Sequence, residues 1–206
     1  MLIPLQTCLR ECKTPIRGIL HVGAHECEEQ PDYDKIGLTM DKVMWFEAMK
    51  DKVETYRKLG YDIYNLVVSD KDDEVVKFNI TNNGQSSSML EMDTHLTQHP
   101  HVTVVATVDM ITTTLKTFID TNKVNIDDYN MLNLDIQGAE LKALKGLGEY
   151  ITKMDYIYTE VNTNTLYKDC ALLPEIDEYL QQYGFKRKIT KMTLHEWGDA
   201  FYVKEE

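Results

Sequence analysis

The sequence predicts one doubly wound α/β domain: an open, mostly parallel sheet with helices on both faces and a β insertion after the third strand. Three observations carry this. Short apolar runs alternate with helical stretches as βαβαβ, then an insertion, then βαβαββ, and parallel crossover units require that alternation. The apolar runs end in small or acidic residues, namely Gly23, Glu47, Asp70, Asp135 and Glu160. Ligands of open α/β sheets sit in the crevice outside the carboxyl ends of the strands, so these residues would converge. Third, 206 residues suit a single domain with a sizeable core.

Taken in order, residues 5–13 place Leu5, Cys8, Leu9 and Cys12 on one face of a short amphipathic helix that Pro15 ends. Residues 1–17 form a helical extension and residues 18–206 the domain. An apolar strand runs from Arg17 to Gly23; the helix after it is poorly marked and interrupted by Pro31. Val43–Phe46 is a buried strand ending at Glu47. Met49–Leu59 is a helix closed by Gly60. Asp62–Val68 is the third strand. Val75–Ile80 and Val102–Val108 alternate with period two, as antiparallel strands do, around a polar loop from Thr81 to Ser88. Helices follow at Thr113–Thr121, Ala139–Leu147 and Leu173–Tyr183, the last with Pro174 in its first turn, where proline is tolerated. Strands fall at Met131–Leu134 and Met154–Thr159, and Phe185–Ile189 with Ala200–Val203 make a final antiparallel pair.

The net charge of −12 disfavours a nucleic-acid or anionic-membrane surface, which needs clustered Lys and Arg. It leaves a neutral acceptor such as a sugar open. No apolar run approaches a membrane span, and the N-terminus has polar breaks too early for a signal peptide. Cys8, Cys12, Cys27 and Cys170 contain no CxxC pair, so they read as free thiols in a reducing, cytoplasmic setting, with a Cys8–Cys12 pair as the alternative.

Several residues suit chemistry. Gly23, with Ala24 and His25 after it, lets backbone approach a ligand closely, or simply makes a tight turn. One glycine stands where a dinucleotide cradle wants three, so a cofactor without a pyrophosphate fits better. Glu47, followed by Ala48, stands 24 residues after Gly23, near the spacing of a ribose-binding carboxylate. Ser69 and Asp70 end the neighbouring strand and could meet an adenine, or be turn residues. Asp135 ends the strand across the switch point, where an unused carboxylate would cost desolvation. Gln137 follows, able to donate and accept. Glu140 reads chiefly as a helix-start acid. Glu160, Asn162 and Asn164 line the next strand end and suit a hydroxyl-rich ligand, or cap the next segment. His21 reads as a satisfied core histidine. His25 could touch substrate or cofactor. His95 and His99 have a metal-ligand spacing, but Pro100 breaks the segment and no carboxylate is in register, so a solvated loop or helix end is expected and no metal site is assigned.

The ordered motifs HVGAHECEE, WFEAMKDKVETYRK, NLVVSDKDDEVVKF, QSSSML, TTLKTFID, MLNLDIQGAELKALKGL and YIYTEV resemble the FkbM-type S-adenosylmethionine-dependent methyltransferases, from about Gly18 to the C-terminus. The resemblance implies a seven-stranded Rossmann-like sheet with the last strand antiparallel, and O-methylation of sugars, glycans or other hydroxylated compounds. It assigns Gly23 and Ala24 to the cofactor loop, Glu47 to the ribose, Ser69 and Asp70 to the adenine end, and residues 135–140 to the DxxGxE segment. His21 stands where the family usually has Asp, and Gln137 where it usually has Glu.

The sequence therefore reads as an S-adenosylmethionine-dependent O-methyltransferase acting on a sugar or glycan hydroxyl, with S-adenosylhomocysteine as product. Asp135 is the expected base, with His25 and Glu160 as alternatives. Gly23, Ala24, His25, Glu47, Ala48, Ser69, Asp70, Asp135 and Gln137 would hold the cofactor, and Ser86, Ser87, Gln137, Glu160 and Asn162 the substrate. An NAD-type oxidoreductase and a non-catalytic binding module are the rival readings. The chain could also be one domain of a longer glycan-processing protein.

Overall fold

The computed structural model describes residues 1–205. In chain order the elements are α1 (Leu5–Cys8), β1 (Ile19–Val22), α2 (Gln30–Asp34), β2 (Val43–Glu47), α3 (Lys50–Lys58), β3 (Ile63–Asn65), β4 (Val67–Val68), β5 (Val75–Thr81), α4 (His95–Gln98) and β6 (Val104–Thr113). There follow α5 (Leu115–Asn122), β7 (Met131–Leu134), α6 (Glu140–Gly146), β8 (Tyr156–Asn162), α7 (Leu173–Gln181), β9 (Phe185–Met192) and β10 (Trp197–Lys204).

Seven strands form the main sheet in the order β3-β2-β1-β7-β8-β10-β9. Strands β3, β2, β1, β7 and β8 pair in parallel, and β10, last in the chain, runs antiparallel between β8 and β9. Every residue of β1, β2, β7 and β8 is buried, as strands covered on both faces must be. Leu20, Val22, Phe46, Leu132, Leu134, Ile157 and Val161 pack on one face with α5, α6 and α7. Ile19, Val43, Trp45, Met131, Tyr156 and Tyr158 pack on the other with Ile3, Leu5 and Cys8. The first residues thus complete a core layer, each buried aliphatic side chain contributing about 1.5–3 kcal/mol.

Four local readings change. The third strand divides: Ile63–Asn65 stays beside β2, while Val67–Val68 joins a three-stranded sheet ordered β4-β6-β5. The Asn65 side chain donates to the Glu47 and Ala48 carbonyls, 3.0 and 2.7 Å away, and ends the main-sheet ladder there. Pro31 lies in the first turn of α2, so it starts that helix instead of interrupting it. The helix expected over 5–13 is regular only to Cys8. Finally, Thr113 belongs to β6, and α5 starts after Thr114, whose hydroxyl accepts from the Thr117 amide.

Candidate active site

The strand order reverses at β1 and β7, the switch point where a crevice opens. A cavity of about 510 Å³ lies there. Gly23 leaves β1 at φ +92°, and a Cβ on it would sit 1.8 Å from the Asp135 carbonyl oxygen. The glycine is therefore demanded by the neighbouring strand end as much as by any ligand. Gly23→Ala should combine a strained φ with overpacking, each costing roughly 1–3 kcal/mol. Its thermal midpoint should drop by about 5–15 °C; an unchanged melting curve would show that the two strand ends can part.

Glu47 is buried, and its carboxylate closes the β1–α2 turn onto the β2–α3 turn. One oxygen accepts the His25 amide at 2.7 Å and the other the Met49 amide at 2.8 Å. Burial pushes its pKa up, opposed by those backbone hydrogen bonds. Each oxygen keeps a further lone pair, and Glu47 lines the cavity.

His25 holds a left-handed φ of +40° and its ring nitrogen meets Glu28 at 2.7 Å. Burial acts against the charged ring, but the Glu28 hydrogen bond and charge outweigh it and raise the pKa. Glu28 answers: burial would raise its pKa, yet the His25 bond holds it down at about 2. The Glu28 bond engages Nδ1 and leaves Nε2 as the ring's remaining site for proton exchange.

Across the switch point, Gln137 (φ +55°) turns its amide onto the two strand-end carboxyls. Its nitrogen donates to Asp135 at 2.8 Å and to Glu160 at 2.7 Å. Its side-chain oxygen accepts from the Tyr167 hydroxyl at 2.8 Å, and its backbone carbonyl from Ser88 at 2.8 Å. These bonds fix which end of the amide faces the carboxyls. Asp135 is exposed to the cavity, whereas Glu160 is 5% exposed. Burial, then the charges of Asp135 and Glu140, push the Glu160 pKa well up. Glu140 is itself buried, accepting the Ile136 and Gly138 amides at 3.0 and 3.1 Å. Burial pushes it up to about 7 against those bonds. It braces the 135–140 turn more than it serves the helix dipole.

The other expected site residues separate. Ala48, Ser86 and Ser87 line the cavity; Ala24 is buried beneath its loop and does not. Ser69 and Asp70 lie off the wall. The Ser69 carbonyl packs on Gly146, and Asp70 pairs with Lys142 at 3.5 Å. Leu66, Val67, Val68 and Phe78 line that end instead. Asn162 also lies off the wall, fully buried, with Trp197 and Leu172 as pairing partners. His21 is a core histidine: it stacks on Trp45 at 4.3 Å, meets the Tyr33 hydroxyl at 2.9 Å, and burial lowers its pKa to about 3.

Two further residues at the site, Asp199 and Tyr167, carried no readable signal. Asp199 sits opposite Glu160 in the β8–β10 register, and only that antiparallel register brings it there. Tyr167 comes from an irregular loop. His95 is only 5% exposed and packs against Tyr167 and His99, at ring distances of 5.4 and 4.9 Å, so the solvated reading holds for His101 and not for His95. Among the described residues no three His, Cys, Asp or Glu side chains form a metal-holding group.

The model of the FkbM methyltransferase domain matches residues 21–187. The chain belongs to the FkbM methyltransferase family, whose methyl donor is S-adenosylmethionine. Among curated proteins none matches the sequence. A solved FkbM methyltransferase from Methylobacillus flagellatus KT superposes with a TM-score of 0.54 at 14% identity, covering 90% of this FkbM domain and 43% of its own chain. The present chain thus spans less than half of that relative's length. Magnesium protoporphyrin IX methyltransferase from Synechocystis PCC 6803, solved with bound S-adenosylmethionine, gives 0.52 at 8% identity over 98% of this chain and 76% of its own. A ribosomal protein L11 methylase from Lactobacillus delbrueckii subsp. bulgaricus gives 0.52 at 10% identity over 98% and 77%. At these identities the solved structures share the fold.

Proposed function

We propose that this FkbM domain transfers the methyl group of S-adenosylmethionine to a hydroxyl oxygen of a sugar or glycan. One observation carries the reading: the cavity wall includes Glu28, Glu29, Glu47, Asp135, Glu160 and Asp199 and, among the described residues, no Lys or Arg, while the Met1 amino group and His25 are paired with Glu29 and Glu28. That field suits a cationic donor and repels phosphate-bearing acceptors. It also disfavours an NAD-type cofactor, whose pyrophosphate would face carboxylates. Asn83, Gln85, Ser86 and Ser87 supply amides and hydroxyls for a neutral acceptor.

In this reading Glu47 accepts the ribose hydroxyls on its free lone pairs. Leu66, Val67, Val68 and Phe78 take the adenine, the role first assigned to Ser69 and Asp70. The donor, when bound, supplies an electrophilic methyl carbon on a sulfonium. Asp135, held by Gln137, accepts the acceptor's hydroxyl proton as the oxygen–carbon bond forms and the carbon–sulfur pair departs to sulfur. The four cysteines are unpaired, which fits a reducing cytoplasm. No described helix is long and apolar enough to cross a membrane.

Transfer of labelled methyl from the donor to a panel of neutral and deoxy sugars tests this. Label should appear on a neutral sugar and vanish for the matching deoxy compound. Donor binding with no S-adenosylhomocysteine formed from any hydroxylated acceptor would make the domain a binding module.

A further inference from the structure

Asp135 and Glu160 reach one amide nitrogen, that of Gln137, at 2.8 and 2.7 Å. Two carboxyls bridged so closely do not both ionise without a compensating cation. Their surroundings supply little positive charge. Asp199 faces them from β10 and Glu140 from the 135–140 turn. Glu29 and His21 approach from the β1 side, 4.0 Å apart, and His21 is neutral. The Tyr158 hydroxyl is bonded to Asp199, and that of Tyr167 to Gln137. The Met1 amino group lines the same small pocket as the pair, and Glu29, 3.5 Å away, balances its charge.

We propose that Asp135 and Glu160 hold one proton between them at rest, release it when the donor's sulfonium binds, and take the acceptor's hydroxyl proton in its place. This rests on the donor reading above. The proton count closes. The resting pair carries one negative charge. Loss of its proton to solvent on donor binding leaves two carboxylates beside one cation. During transfer the acceptor's O–H proton passes to the pair, the oxygen–carbon bond forms, and the carbon–sulfur electron pair stays on sulfur. The pair is then back at one negative charge, beside a neutral thioether. Each turnover releases one proton, as methylation of a hydroxyl requires. The pair is fully ionised, and so free to accept a proton, only when the methyl donor is present, and its proton affinity rises again as the sulfonium charge is lost. Tyr167 acts as a positioning residue, because its hydroxyl fixes the Gln137 amide with its nitrogen toward both carboxyls.

Calorimetric titration in buffers of different ionisation enthalpy counts the protons. S-adenosylmethionine should release about one proton per site near neutral pH, and S-adenosylhomocysteine few or none. Glu47 meets the same ribose in both ligands, so any proton it contributes cancels in the difference. Wild-type affinity for S-adenosylmethionine should rise by up to about tenfold per pH unit through the release range and then level off. Glu160→Gln should bind both ligands and lose the difference in release. Equal release for the two ligands in wild type overturns the proposal, as does undiminished release in Glu160→Gln. If Glu160→Gln does not fold, the wild-type contrast decides alone. Absence of binding by either ligand overturns the donor reading itself.

Discussion

Replacing Glu47 by alanine should raise the dissociation constant for S-adenosylmethionine about 10²–10⁴-fold, since two hydrogen bonds to a charged group are worth roughly 1.5–3 kcal/mol each. Among the described residues, Glu47 is the lining carboxylate whose two oxygens are both oriented by backbone, through the His25 and Met49 amides. Each oxygen keeps a further lone pair, and Glu47 lines the cavity. The two amide bonds also give the residue a structural share: Glu47→Ala leaves two buried donors unpaired, at about 1–3 kcal/mol each. Stability must therefore be read beside affinity. Glu47→Gln separates the two, because it keeps the volume and an acceptor while removing the charge. Calorimetry on both variants, with circular dichroism to confirm folding, makes the measurement. If folded Glu47→Ala binds the donor within a few-fold of wild type, the ribose lies elsewhere.

The sequence spoke most clearly where a residue's role depends on the end of its own strand. Gly23, Glu47 and Asp135 each stand at the end of a buried run, Glu160 lies two residues before the end of β8, and the fold carries all four to one crevice. Period and burial decide that much. What stayed hidden depends on long-range pairing. Asp199 stands beside Glu160 only through the antiparallel register of β10 on β8. Tyr167 reaches Gln137 from a loop with no periodic pattern. Ser69 and Asp70 look like a strand end at the crevice, but the chain leaves the main sheet after Asn65, so the wall is built from the residues just before them. Asn162 extends β8 past the cavity instead of opening a loop into it. For Ser69, Asp70 and Asn162 an apolar run had the right composition, and its boundary was set by a hydrogen bond or a partner strand that composition does not encode.

Asp135→Asn should cut methyl transfer by about 10²–10⁴-fold, the usual worth of a positioned general base, while leaving donor affinity within a few-fold. The second half follows from the geometry of the pair. In wild type the resting pair carries one negative charge beside the donor site. Asp135 is among the charges that hold the Glu160 pKa up. Its removal shifts Glu160 toward ionisation, so the variant presents one negative charge to the sulfonium and, unlike the wild-type pair, need not release a proton to bind it. The new amide oxygen can still accept from Gln137, which keeps the turn in place. What is lost is the exposed carboxylate that faces the cavity and could take the acceptor's proton, since Glu160 is only 5% exposed. The acid limb of the rate profile should change with it, because proton transfer must fall to a less accessible carboxyl. Single-turnover transfer with labelled donor, beside calorimetric binding, separates chemistry from affinity. Near-normal turnover on a true acceptor would sink the base assignment, and Glu160, freed of its partner's charge, would become the group to replace next.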